Sequence, residues 1–188
     1  MNALSDGVMS RPRHRTINRG FKHGLRCAAV LTIVTTLTST LSIAAQAQDN
    51  WEIDGVYTAT SNGEWATRND VYHDEPTVVA TWTVETTCTG PEQCTGEVTS
   101  DQGWSAPITN TNGLWYVRRT VEGWQLCPDG SSSDGGQIYT FYPVDAGGQV
   151  SPGSPIFAGL DTTIGASGAC GVNQWLAIRM PLKLTKLA

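Results

Sequence analysis

Apolar side chains recur at every second position in this chain, and no long stretch repeats at helical spacing. That feature limits the fold most, because a period of two marks a β-strand with one buried face. Within residues 78–86, Val78, Ala80, Trp82 and Val84 share one face, while Thr81, Thr83 and Glu85 share the other. Leu176, Ile178, Met180, Leu182 and Leu184 alternate in the same way with Ala177, Arg179, Pro181 and Lys183. Pro181 has no N–H to give to a ladder, so this strand is expected at an edge or with a bulge there. Weaker candidates are 51–60, 94–100, 114–120, 123–126, 137–142 and 156–164. Turn residues separate them: Ser61-Asn62-Gly63, Asn112-Gly113, Asp129-Gly130, Asp134-Gly135-Gly136 and Gly147-Gly148. Residues 129–136, DGSSSDGG, read as a surface loop. About 8–10 short strands at this spacing predict an all-β fold, an antiparallel barrel or sandwich. The barrel is preferred, since closure hides sheet edges.

Residues 1–47 read as a signal peptide and not as part of that fold. Arg11, Arg13, Arg15, Arg19, Lys22 and Arg26 form a basic block, an apolar run follows over 28–45, and Ala45-Gln46-Ala47 offers a cleavage site. A retained anchor is the competing reading, because the run is about long enough to span a thinned bilayer. Against it, seven of the eighteen residues 28–45 are Ser or Thr. Cleavage leaves 48–188 as one secreted β-domain, extracellular or in the cell envelope. That part carries six basic and sixteen acidic residues, a net charge of −10. With so few cations to displace counterions, nucleic acid is excluded as a partner. Membrane contact is expected only through the N-terminal segment.

Export gives the cysteines their meaning. Cys88, Cys94, Cys127 and Cys170 follow residue 47, and an even count in an oxidising compartment predicts disulfides. The favoured pairing is Cys88–Cys94 and Cys127–Cys170, because Gly90-Pro91 can turn a hairpin between the first two. A zinc site would use closer spacings with a second pair nearby, and a redox pair would be C-x-x-C.

No catalytic, metal or cofactor constellation emerges. His73 is the one histidine after residue 47, and no G-x-S-x-G elbow accompanies it. It reads as a loop histidine. Asp70, Asp74 and Glu75, and Asp129 with Asp134, could offer oxygen to calcium, but neither set matches a calcium loop. No glycine loop suits a phosphate. All seven tryptophans lie beyond residue 47. Most are expected to fill the core or plug the barrel ends. Trp65, Trp104, Trp115 and Tyr116 are the candidate ligand contacts, since both faces of 114–119 are partly apolar.

The landmarks fall in a definite order. Asp54-Gly55 and Tyr57 are followed by Trp82, Val84 and Cys88, then Cys94 and Val98. Gly103-Trp104-Ser105, Gly113 with Trp115, Cys127-Pro128-Asp129-Gly130, Tyr139 and Cys170-Gly171 complete the series. This order resembles a group of small exported mycobacterial proteins of uncharacterised function. It is also similar to the extracytoplasmic segment of some mycobacterial Ser/Thr protein kinases. The resemblance implies a stand-alone exported domain and carries over no catalytic residue. Asn62-Gly63-Glu64-Trp65 has the G-x-W of lipocalin first strands, a lesser resemblance.

The expected function is therefore a non-enzymatic binding or sensing module for a lipid, a glycan or an envelope protein. Two alternatives stand beside it. One is a carboxylate-based hydrolase using Asp70, Asp74 or Glu75. The other is a structural or host-contact protein without a small-molecule site.

Overall fold

A computed structural model of the protein describes residues 51–90 and 93–188. Residues 1–47, read above as a signal peptide, and Pro91-Glu92 between the first two cysteines lie outside the described residues.

Ten strands follow in chain order: β1 Gly55–Ser61, β2 Thr67–Arg68, β3 Val71–Tyr72, β4 Val78–Gly90, β5 Gln93–Ser100, β6 Trp104–Thr111, β7 Leu114–Leu126, β8 Ser132–Pro143, β9 Ile156–Gly165 and β10 Ala177–Lys186. Short 3-10 turns occupy Gly63–Trp65 and Ala169–Gly171. Eight strands run antiparallel in the order β1-β4-β5-β6-β7-β8-β9-β10, and β1 pairs β10 to close the ring. The fold is an eight-stranded barrel, with β2 and β3 a small hairpin hung on the start of β10. A barrel of eight strands is just wide enough for side chains to fill it or for one small ligand.

Here the interior is filled. Trp82, Trp115, Tyr57, Phe141, Phe157, Ile108, Val84, Val98, Val117 and Leu184 are all buried. Trp82 reaches across the diameter. Its ring lies 4.8 Å from that of Tyr139 at 79°, although β4 and β8 stand opposite each other in the ring of strands. Edge-on contact of this kind suits the aromatic quadrupoles. Phe141 meets Phe157 at 5.8 Å and 89°. Gly159 faces Phe141 across the β8–β9 ladder, and any Cβ there would collide with the Thr140 carbonyl.

Two prolines sit inside interior strands, each where the ladder on one flank stops. β10 pairs β1 over Leu182–Lys186 and β2 over Ile178–Arg179, leaving Met180 and Pro181 without a ladder partner on that side. The Pro181 carbonyl still accepts from Asn62 N at 2.8 Å. So β10 is not an edge strand, and a change of partner takes the place of the expected bulge. Pro107 similarly lies just beyond the β6–β7 ladder, which covers Ile108–Thr111 of β6.

Two further expectations are corrected. Residues 132–136 of the supposed DGSSSDGG loop are the first residues of strand β8, paired with β7 and β9. The candidates 114–120 and 123–126 form one strand, interrupted by a bulge between Val121 and Gln125. Gly123 permits the bulge with φ 59°, its N–H donating to Asp134 Oδ1 at 2.8 Å.

Cys88 stands directly opposite Cys94 in the β4–β5 ladder, with Cα atoms 4.1 Å apart, and the two are bonded. Cys127 is bonded to Cys170, with Cα atoms 5.0 Å apart. Both pairings are those expected from the sequence.

Candidate functional site

At one end of the barrel β1, β7 and β9 begin and β6, β8 and β10 finish. A pocket of about 170 Å³ opens there, lined by Trp51, Tyr57, Trp115 and Phe157, by Pro143, Pro152 and Pro155, and by Glu52 and Lys186. Trp115, Tyr57 and Phe157 belong to the core and lie buried beneath this mouth. The connection from β8 to β9 supplies the proline wall, and local hydrogen bonds fix it. Ser154 Oγ donates to the Val144 carbonyl at 2.6 Å, and Asp145 Oδ1 accepts from Gly147 N and Gln149 N. Lys186 N donates to the Pro155 carbonyl at 2.8 Å, which holds the wall to the end of β10. The Tyr57 hydroxyl donates to the Ile53 carbonyl at 2.8 Å. Burial, and the nearby Asp54 charge, push that hydroxyl up to about 12.

The other half of the interior sets a buried polar network among aromatic rings. Asp161 on β9 is only 2% exposed, yet it faces the barrel lumen. Ser61 Oγ of β1 donates to its Oδ2 at 2.8 Å, and Gln137 Nε2 of β8 donates to its Oδ1 at 2.9 Å. Gln137 Oε1 in turn accepts from Arg119 Nε of β7 at 2.7 Å. The amide orientation is forced, since a carboxylate only accepts and a guanidinium only donates. The chain therefore links Arg119 to Asp161 through one amide and ties four strands together. The Arg119 guanidinium lies 4.5 Å over the Trp104 ring, in the gap where β6 and β7 no longer pair. Trp104 Nε1 is buried there without a hydrogen-bond partner among the described residues. Burial, and then the charge of Asp161, raise the Tyr139 hydroxyl well above its ordinary value.

Burial also raises the Asp161 carboxyl, against the lowering pull of Gln137, Ser61 and Arg119. A carboxyl raised in the folded state binds more protons folded than unfolded. Its contribution to stability is then fully present below the unfolded value and is lost as pH rises through the folded one. Asp161→Asn removes the titration and keeps the shape. The expected result is a variant more stable than the native chain at neutral pH, with the difference shrinking as pH falls toward the ordinary carboxylate range. Urea unfolding at a series of pH values measures it, and a pH-independent difference would refute the assignment.

The four ligand contacts expected from the sequence do not converge. Trp115 lines the mouth pocket. Trp104 stands beside Arg119 in the other half of the interior. Trp65 is 70% exposed in its 3-10 turn, and Tyr116 points out of the barrel beneath the Arg118 guanidinium, 4.6 Å away. Asp161, Gln137, Arg119, Trp51 and Lys186 were not singled out from the sequence. Of these only Asp161 carried a signal, an acid in mid-strand beside Gly159. His73 lies on the surface with Nδ1 3.1 Å from Glu75 Oε1. Glu75 also pairs with Arg68 at 3.0 Å, and Asp70 pairs with Arg179. Asp129 caps Ser131 N at 2.9 Å.

Among solved structures, the chain is similar to the monomer form of the M. tuberculosis PknI sensor domain. The fold is similar to that sensor domain. The TM-score is 0.51 with 17% identity, over 73% of this chain and 88% of that one. The resemblance to the extracytoplasmic segment of mycobacterial Ser/Thr kinases is thus found at the level of fold. No protein-family model matches the chain, and no curated protein matches it.

Proposed function

We propose that residues 48–188 act outside the cytoplasm, in the cell envelope or the medium, as a non-enzymatic binding or sensing domain. Cleavage after Ala47 is part of this reading. The mouth pocket carries it: the half-buried Trp51 and the exposed Lys186 border a recess there over the buried rings of Tyr57, Trp115 and Phe157. Two disulfides suit an oxidising compartment. The similar fold of a sensor domain supports the same class of function. The tryptophans of the lumen fill it, so a lipid is not expected inside the barrel, and any ligand is expected at the mouth.

A thermal-shift screen of the purified exported chain against lipids, glycans and small organic anions tests the proposal, together with native mass spectrometry. A true ligand at about a hundred times its Kd adds about 2.7 kcal/mol of stability. A clean apo mass, with no shift from any class, would count decisively against it. The structural or host-contact alternative would then stand, with Trp65, Val71 and Tyr72 as its contact surface, each at least 66% exposed.

A further inference from the structure

We propose that the mouth pocket takes a small planar ring bearing an anionic group, an aromatic carboxylate; this rests on the binding reading above. Size comes first. The pocket holds about 170 Å³. An apolar cavity of about 150 Å³ accepts benzene, whereas drug-sized ligands need roughly 300 Å³ or more. A long acyl chain does not fit.

Shape and charge narrow the class further. The half-buried Trp51 offers aromatic surface beside the buried rings of Tyr57, Trp115 and Phe157, and such a lining holds another ring edge-on or offset. The Tyr57 hydroxyl is already committed to the Ile53 carbonyl, so it adds no polar selection. The Lys186 ammonium stands 5.9 Å from the Tyr57 ring centroid. Among the described residues it belongs to no ion pair. Glu52, the other charged lining residue, accepts from Cys88 N at 3.3 Å and so is engaged by the stapled hairpin. A neutral ring would gain nothing from the exposed ammonium, and a cationic one would meet its repulsion. A ring with a carboxylate at its edge satisfies both the apolar lining and Lys186.

Sodium benzoate is the probe, with benzyl alcohol as the uncharged ring and acetate as the ringless anion. Each is titrated into the purified exported chain, and the indole N–H resonances are followed by NMR. Benzoate is expected to shift those of Trp51 and Trp115 saturably while leaving those of Trp65 and Trp175 in place. Acetate is expected to shift none. Lys186→Gln, at an exposed position, is expected to weaken benzoate about two- to fivefold. Equal binding of benzyl alcohol, or unchanged affinity in Lys186→Gln, overturns the assignment. If benzoate fails while another ligand class stabilises the chain, this inference falls and the binding reading survives. If every class fails, both fall.

Discussion

Replacing Trp82 with alanine is expected to destabilise the barrel by about 3–5 kcal/mol, the range for deleting a large buried aromatic. Trp82 is 1% exposed and stands in contact with Trp104, Tyr139 and Phe141. It spans the lumen from β4 to the strand opposite, so no neighbour on its own side of the ring can fold in to replace it. Strands in a closed ladder cannot close up without breaking their hydrogen bonds, and the void persists. Urea unfolding followed by far-UV circular dichroism gives the midpoint and slope. Trp65→Ala serves as the control. That residue is 70% exposed, and its loss is expected to cost within about 0.5 kcal/mol. A Trp82→Ala loss below about 1 kcal/mol would show that the interior is not packed as described.

Removing the long disulfide is the second large effect. Cys127 and Cys170 are 43 residues apart, against six for Cys88 and Cys94. Loop-closure entropy gives about 4 kcal/mol for the first bridge and about 2.4 kcal/mol for the second. Position strengthens the ranking. Cys127 directly follows β7, and Cys170 lies in the turn between β9 and β10, so the bond joins two connections that share no ladder. Cys88 and Cys94 already face each other in a ladder and gain less. Cys127→Ser with Cys170→Ser is expected to lower the unfolding free energy by clearly more than the Cys88→Ser, Cys94→Ser pair. The reverse order, measured by the same urea titrations, would contradict the entropic ranking.

The barrel was legible where one face of a strand is apolar and the other is not. β4 shows this best, with Ala80, Trp82 and Val84 buried and Thr83 and Glu85 outside. β6 escaped notice because Pro107 breaks its pattern and Asn110 is polar yet 6% exposed. The short β2 and β3 are too brief for any periodicity to register. Site residues were harder still. On β9, Ile156, Ala158, Leu160 and Ile164 form an apolar set, but the lumen takes Phe157, Asp161 and Thr163 instead. Alternation says that two faces exist and not which one is inside when both are partly apolar. The mouth pocket draws on residues from Trp51 to Lys186, brought together only by closure of the ring. The disulfides were readable because their evidence was local for one pair and left a single partner for the other.

Closure itself sets an order of events. From β4 to β10 each strand pairs with the next in sequence, so these six pairings can form as successive hairpins. The β1–β10 seam joins Tyr57 to Lys186 and cannot exist until the final strand has arrived. Pairings of such separation are the slow ones in folding. Until then β1 and β9 both present raw edges, the kind that recruit a second chain. The interval between the first hairpin and the seam is thus the time in which this protein is most exposed to misassembly, and a chain shortened before Ala177 would never leave it.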